Sequence, residues 1–299
     1  MREMTPLDEW KRRAKYFSAG GRDLAYWTSG DEDETKPFLL LIHGYPTSSW
    51  DWNFIWDALT PQFRPVAMDM LGFGLSEKPK DVYYAIDAQA DLLEAFLEYL
   101  GVGEAHVLAH DYGDTVAQEI LARHNEKSLS FLLRSLTLLN GGLFPEQHRA
   151  LFIQKLGISP LGFLLGKLMT RQRFEKSFSA VFGEKTKPGA AELDIHWALM
   201  TENSGLAVMH KLLSYIPQRK ANRARWVGAL QEAAIPVRLI DGGADPVSGS
   251  HMFNHYRESV PDADALLLSE IGHYPQTEAP DLVLNAFLEF HRRLRTIPA

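Results

Sequence analysis

Residues Leu108–Glu119 read LAHDYGDTVAQE. An apolar strand runs into a helix there through a tight turn, with Asp111 at the apex and the small residues Ala109 and Gly113 two positions to either side. Only small flanking residues let strand and helix approach closely enough for a strained elbow that exposes the middle side chain. The competing reading is a capped helix start: Asp111 and Asp114 as carboxylates favoured by the helix dipole, with Thr115 and Gln118 as a capping box. Position favours capping for Asp114, and a functional role for Asp111 at the tip.

Outward from the elbow, short apolar runs alternate with longer helical patterns. This rhythm predicts an α/β fold, a mostly parallel sheet with helices on both faces. The buried-strand candidates are Phe38–Ile42, Pro65–Met68, Ala105–Ala109, Leu136–Leu139 and Pro236–Ile240. Ala265–Leu268 reads as a last strand, and Lys15–Ala19 with Arg22–Trp27, joined at Gly20-Gly21, as an antiparallel hairpin. Apolar residues at helical spacing predict helices over Asp87–Leu100, stopped by Gly101, and over Asp281–Leu294. From about Leu143 the alternation breaks into a strand-poor region with Met, Phe and Leu at helical spacings. It is read as a helical cap over 143–225, inserted between core segments 1–142 and 226–299. An insertion between two core strands sits over their C-terminal ends, where open α/β sheets bind ligands.

Three further turns carry chemistry. His43-Gly44-Tyr45-Pro46 follows the strand FLLLI, where a loop can aim a backbone N–H at developing negative charge; alternatively it is a plain turn with Thr47 or Ser48 capping the next helix. Gly242–Val247 (GGADPV) offers Asp245, and Ile271–Pro275 (IGHYP) offers His273, each just past a strand. Asp111, Asp245 and His273 then run in the chain order nucleophile, acid, base.

These stretches, together with DMLGFGLSEKP at Asp69–Pro79, resemble the α/β-hydrolase superfamily, in the branch of epoxide hydrolases and haloalkane dehalogenases. HDYGDTVAQE, LLNGGLFPE, SYIPQRK and RWVGAL are similar to the mesoderm-specific transcript group of epoxide-hydrolase-like proteins. The resemblance implies an eight-stranded sheet with an inserted helical cap. It also implies a catalytic set of Asp111, Asp245 and His273, and oxyanion-hole donors at Tyr45 and Tyr112. Epoxide hydrolases carry a cap tyrosine about twenty residues before the strand that leads to the acid, and Tyr215 stands there, without a second tyrosine in Leu143–Gly205. His43, Phe144 and Trp197 are expected to line the substrate site. His43 and His110 are also read as bonding to backbone rather than reacting.

Aspartate at the elbow changes the reaction. It is ionised at neutral pH and needs no base to attack. On an acyl carbon it would form a labile anhydride; on an sp3 carbon bearing a leaving group it forms an alkyl ester, which His273, oriented by Asp245, hydrolyses through water. A departing halide needs converging N–H donors, whereas an epoxide oxygen needs a phenol. Dehalogenases of the branch usually carry tryptophan after the nucleophile and often asparagine after the first HG, where this chain has Tyr112 and Tyr45. The expected activity is therefore epoxide hydrolysis to a vicinal diol. Haloalkane dehalogenation with the same triad is the alternative, and a silent or regulatory α/β-hydrolase-fold protein a further one. Asp114, where the family usually has glycine, would either raise the pKa of Asp111 by repulsion or cap the helix.

A net charge of −7 opposes nucleic acid or anionic membrane as partner, and QRKANRARW at 218–226 is read as a solvated basic helix face. There are no cysteines, which excludes disulfides, thiol catalysis and thiolate metal sites. His251 and His255 share a helix face without a third ligand, so no metal is expected, and the chemistry calls for no cofactor. The expected partners are a small hydrophobic electrophile and water, for a soluble, cytoplasmic monomer or homodimer.

Overall fold

The computed structural model describes residues 4–29 and 33–296. Its strands are β1 (Lys15–Ala19), β2 (Arg22–Thr28), β3 (Phe38–Ile42), β4 (Arg64–Met68), β5 (Glu104–His110), β6 (Leu132–Leu139), β7 (Val237–Gly242) and β8 (Asp264–Leu268). They form one sheet in the order β1-β2-β4-β3-β5-β6-β7-β8. The β1/β2 and β2/β4 pairs are antiparallel and all others parallel. The α/β architecture, the hairpin and each expected strand are present.

Five strand starts differ from the sequence expectation, by one residue at β4, β5, β7 and β8 and by four at β6. β6 begins at Leu132 because its first half alternates exposed and buried positions, a period-two pattern that hides beside the continuous run after Leu136. β7 begins one residue after Pro236, whose carbonyl accepts from Leu136 N but which has no N–H to give the ladder.

The helices before the elbow are α1 (Leu7–Arg13), α2 (Trp56–Leu59) and α3 (Ile86–Tyr99). Gly20 and Gly21, at φ 58° and 73°, supply the left-handed pair that a two-residue hairpin turn demands. α3 ends where Gly101 adopts φ 69°, with Gly101 N bonded to Glu98 O and Val102 N to Leu97 O, so two otherwise orphaned carbonyls are satisfied.

α4 (Tyr112–Asn125) follows the elbow. Between β6 and β7 the regular elements are all helical: α5 (Phe152–Gly157), α6 (Leu164–Leu168), α7 (Arg171–Ser179), α8 (Ala190–Thr201), α9 (Met209–Leu212), α10 (Tyr215–Ala221) and α11 (Arg223–Gln231). α11 packs along α4 and runs through residue 226, so a division at 225/226 falls inside it. α12 (Ser250–Ser259), α13 (Pro275–Glu278) and α14 (Pro280–Thr296) complete the chain.

The sheet separates two cores. Alternate residues of β3 show why: Leu40 and Ile42 join the cluster with α3 and α4, while Leu39 and Leu41 join the tryptophan-rich cluster with α1, α2 and α14. A strand buried on both faces reads as a continuous apolar run. Among the described residues no helix is long and apolar enough to cross a membrane.

Candidate active site

Asp111 sits between β5 and α4 with φ 46° and ψ −102°, a conformation rarely adopted by a non-glycine residue. The crowding around it explains the small neighbours. A Cβ on Gly113 would lie 2.4 Å from the Ile42 carbonyl oxygen, and one on Gly44 would lie 2.6 Å from His110 Nδ1. The capping alternative fails: Asp111 makes no side-chain cap bond, Thr115 Oγ1 accepts from Arg219 Nε, and Gln118 Nε2 donates to the Leu143 and Trp226 carbonyls.

The loops after β7 and β8 bring Asp245 and His273 to the elbow. His273 Nδ1 lies 2.7 Å from Asp245 Oδ2, while His273 Nε2 is 3.9 Å from Asp111 Oδ2, beyond direct hydrogen-bond reach. Asp245 is fixed by four further donor contacts: Val247 N, Ser248 N, Ser248 Oγ and Asn140 Nδ2. Asn140, at φ 45°, also exchanges bonds with the backbone of Gly242 and so ties the end of β6 to the acid loop. Its role was not visible in the motif LLNGG.

Tyr45 N donates to Asp111 Oδ2 at 3.2 Å. Tyr112 is the first residue of α4, so its N–H is one that a helix leaves without an intrahelical partner. In the loop after β3, Ser48 Oγ accepts from Trp50 N as the turn reading expected. His110 Nε2 bonds the His273 carbonyl at 2.8 Å; burial, then His273, lower its pKa to about 3, so it stays neutral and donates there.

The electrostatics follow burial and pairing. Burial alone would push the Asp111 carboxyl up, but the nearby charges of His273 and Arg219 hold it below the ordinary carboxylate value. Burial opposes the charged imidazole of His273, yet Asp245 and then the charge of Asp111 raise its pKa well above the usual histidine range. Asp114 is buried, accepts only a 3.4 Å contact from Leu139 N through Oδ1, and leaves Oδ2 unpartnered. Neither sequence alternative describes it: Asp111 is not raised, and Asp114 does not cap. It is Asp114 whose pKa rises well above normal, through burial and then the Asp111 charge. Asp241 behind it is likewise raised, by burial and then Asp245, with both oxygens unpartnered.

A narrow cavity of about 70 Å³ opens onto Asp111, His273 and Tyr45. Its other walls are mainly apolar, among them Phe174, Phe178 and Val181, with Gln154 as an amide. Tyr274 also faces it, its hydroxyl donating to the Tyr45 carbonyl at 3.0 Å. Tyr215 is fully buried beside the cavity rather than on its wall. Its ring meets Tyr112 edge-on at 5.1 Å and Tyr45 at 6.3 Å, and its hydroxyl accepts from Gln154 Nε2 at 3.5 Å.

Three expected lining residues lie elsewhere. His43 is a backbone clamp, Nδ1 on Gly44 O and Nε2 accepting from Met70 N. Phe144 is buried against the His255 ring. Trp197 stands behind Phe174, which takes the wall position in front of it. Helical spacing marked Trp197 as apolar, but which turn reaches the cavity depends on how α7 and α8 pack.

Arg219 is the residue the sequence reading missed. The QRKANRARW stretch is a solvated face only in part: Lys220 and Arg223 are exposed, but Arg219 is 2% exposed, Arg225 pairs with Glu119, and Trp226 Nε1 donates to Glu119 Oε2. Arg219 Nη2 donates to the Asp111 carbonyl at 3.0 Å and lies 3.6 Å from Oδ1, its Nε reaches Thr115, and its guanidinium lies over the Tyr215 ring at 4.4 Å. Beside it Gln218 Nε2 donates to Tyr84 O, and its Oε1 accepts from Ile86 N, which docks α10 on the start of α3. Lysine and arginine in an amphipathic pattern read as surface by default; only burial against the elbow reverses that. Among the described residues no group of three histidine, aspartate or glutamate side chains could hold a metal, and His251 bonds the Val247 carbonyl instead.

Comparison with known proteins agrees with this frame. The mesoderm-specific transcript homolog protein of Homo sapiens is 42% identical over 294 residues, 95% of this chain and 87% of that one. LipZ of Mycobacterium tuberculosis is 37% identical over 281 residues, covering 94% and 96%. Haloalkane dehalogenase 2 of the same organism is 27% identical over 265 residues, covering 86% and 89%. Among solved structures, an α/β-hydrolase fold protein from Burkholderia ambifaria superposes with TM-score 0.79 at 22% identity, covering 97% of this chain and 100% of that one. The epoxide hydrolase CorEH superposes with TM-score 0.76 at 19% identity, covering 94% and 99%. A family model for the alpha/beta hydrolase fold matches residues 37–280, and with that match over most of its length the chain belongs to the α/β-hydrolase fold family.

Proposed function

We propose that this hydrolase opens epoxides to vicinal diols through an alkyl ester on Asp111. The observation that carries the reading is an aspartate, not a serine, on a strained elbow, bonded by Tyr45 N–H and facing a His273–Asp245 pair. Such a carboxylate attacks without a base, and the histidine serves the second step.

In the first step Asp111 attacks an epoxide carbon, the C–O bond breaks, and the departing oxygen takes a proton from a phenol. Tyr45 supports this role because it lines the cavity next to Asp111, with the Tyr215 ring packed beside its own. Burial and then the Asp111 charge raise both phenols, so they stay protonated and able to donate. In the second step His273 takes a proton from water and hydroxide adds to the ester carbon. Charge gathers on the oxygen held by Tyr45 N–H, with Tyr112 N–H as second donor, each such donor being worth roughly 3 kcal/mol. Collapse releases the diol, which takes the His273 proton; the acid left on Asp111 returns its proton to the phenolate. The balance is epoxide plus water to diol.

Dehalogenation with the same triad is the second reading, favoured by the similarity to haloalkane dehalogenase 2. Against it, no tryptophan lines the cavity, and Gln154, its amide donor, is engaged with the Tyr215 hydroxyl.

The test is intact-protein mass spectrometry of His273→Gln after separate exposure to epoxides and haloalkanes. The expected result is a gain of one whole epoxide, absent from His273→Gln/Asp111→Asn. An alkyl gain from haloalkanes alone would select dehalogenation, and no adduct from either would overturn the covalent mechanism.

A further inference from the structure

Arg219 faces two ways. Nη2 and Nε are engaged at the elbow, Nη1 is buried with no hydrogen-bond partner, and the side chain also lines a second pocket, of about 400 Å³. His148 lines that pocket too, and both its ring nitrogens are buried and unpartnered. The two residues converge: a Cβ built on Gly142 would lie 2.0 Å from Arg219 Nη1 and 3.0 Å from His148 Nδ1. The two side chains therefore lie close together beside the pocket, each with an unsatisfied nitrogen. Around it the wall carries Arg149, Lys155 and Lys220 and no acidic residue. Glu146, the carboxylate nearest in sequence, is spent on Arg223 and His255.

We propose that this pocket binds an oxyanion group of the phosphate type. A guanidinium donates in a planar fork that suits tetrahedral oxyanions, and a buried donor without a partner costs stability until one arrives. The rim cations concentrate such an anion despite the chain's net charge of −7. A second consequence rests on the nucleophile reading above. The bound anion shares the Arg219 charge with Asp111, so the carboxylate is held less tightly and alkylates faster.

Calorimetric titration of the full chain with inorganic phosphate, at low ionic strength and neutral pH, tests the site without reference to turnover. Saturable single-site binding is expected, weakened roughly tenfold or more in Arg149→Gln/Lys155→Gln, rim residues outside the reacting set. Co-sedimentation with phosphatidylserine against phosphatidylcholine vesicles separates the sources. Binding to the anionic vesicles alone, lost in the variant, assigns a lipid headgroup; binding of free phosphate assigns a soluble ligand. No binding in either arm, or equal binding by the variant, overturns the site. Phosphate that binds but leaves the His273→Gln alkylation rate unchanged removes the coupling and leaves the site.

Discussion

Arg219 reaches from α10 to the back of the elbow, where its Nη2 lies 3.0 Å from the Asp111 carbonyl oxygen and 3.6 Å from Oδ1. One helix outside the sheet thus supplies the counter-charge for a carboxylate presented by the sheet. Removing one partner of a buried ion pair leaves the other uncompensated. Arg219→Met is expected to cost about 3 kcal/mol of stability, read as a thermal midpoint lower by several degrees. Arg219→Lys keeps the charge but loses the fork that spans Asp111 and Thr115, and should fall between. A midpoint in Arg219→Met equal to wild type would refute the pairing.

Tyr45 and Tyr215 share one ring contact but not one position. Because Tyr45 lines the cavity and Tyr215 lies beside it, Tyr45→Phe should slow alkylation by epoxide more than Tyr215→Phe does, by ~100-fold against ~10-fold. Single-turnover adduct formation in the His273→Gln background reads both. The reverse order would return the leading role to Tyr215.

The His273 imidazole is raised by Asp245 first and then by the charge of Asp111, against the downward pull of burial. In the resting enzyme it therefore holds its proton above the usual histidine value and cannot act as base. On the proposed mechanism, alkylation would neutralise Asp111 and remove that contribution, lowering the pKa and freeing the base when the ester needs it. Asp111→Asn imitates the neutral ester, so the His273 titration followed by imidazole NMR should move to lower pH in that variant. Ester hydrolysis should accelerate as pH rises through the lowered value. A midpoint unchanged by Asp111→Asn would refute the coupling.

Asp114 is raised by burial and by Asp111, so it is protonated in the native state but ionised when unfolded. A raised native pKa penalises folding once the pH passes the unfolded value, and the penalty grows until the native acid also ionises. Asp114→Asn removes it at nearly constant shape. It should gain at least ~1 kcal/mol at neutral pH, ~2 °C in thermal midpoint, with the gain vanishing in acid where both states are protonated. Destabilisation at neutral pH would show that the carboxylate form is needed.

The expected triad residues were legible because each follows a strand that runs apolar through a parallel sheet, and such strands end in loops that share one edge. His43, Phe144 and Trp197 were placed wrongly for a common reason. Apolar or aromatic character near a site tells that a residue is buried, not which cavity it faces. Arg219 failed in the opposite direction, since a cation in a basic stretch reads as solvated until a partner is found. Asp114 was ambiguous because a helix-start carboxylate is ordinary, and only the closeness of Gly141 and Leu139 shows that it is sealed from water.

The sequence by itself determined the sheet, the elbow and the residue at its tip, because strand periodicity, glycine tolerance and the ionisation of aspartate are local properties. Tertiary structure decided the surroundings of that tip: which tyrosine lines the cavity, which arginine lies against the Asp111 carboxylate, and which carboxyls burial pushes up. Those depend on distances between segments well separated in the chain, and the low-dielectric interior where they meet turns small differences in position into large differences in charge state.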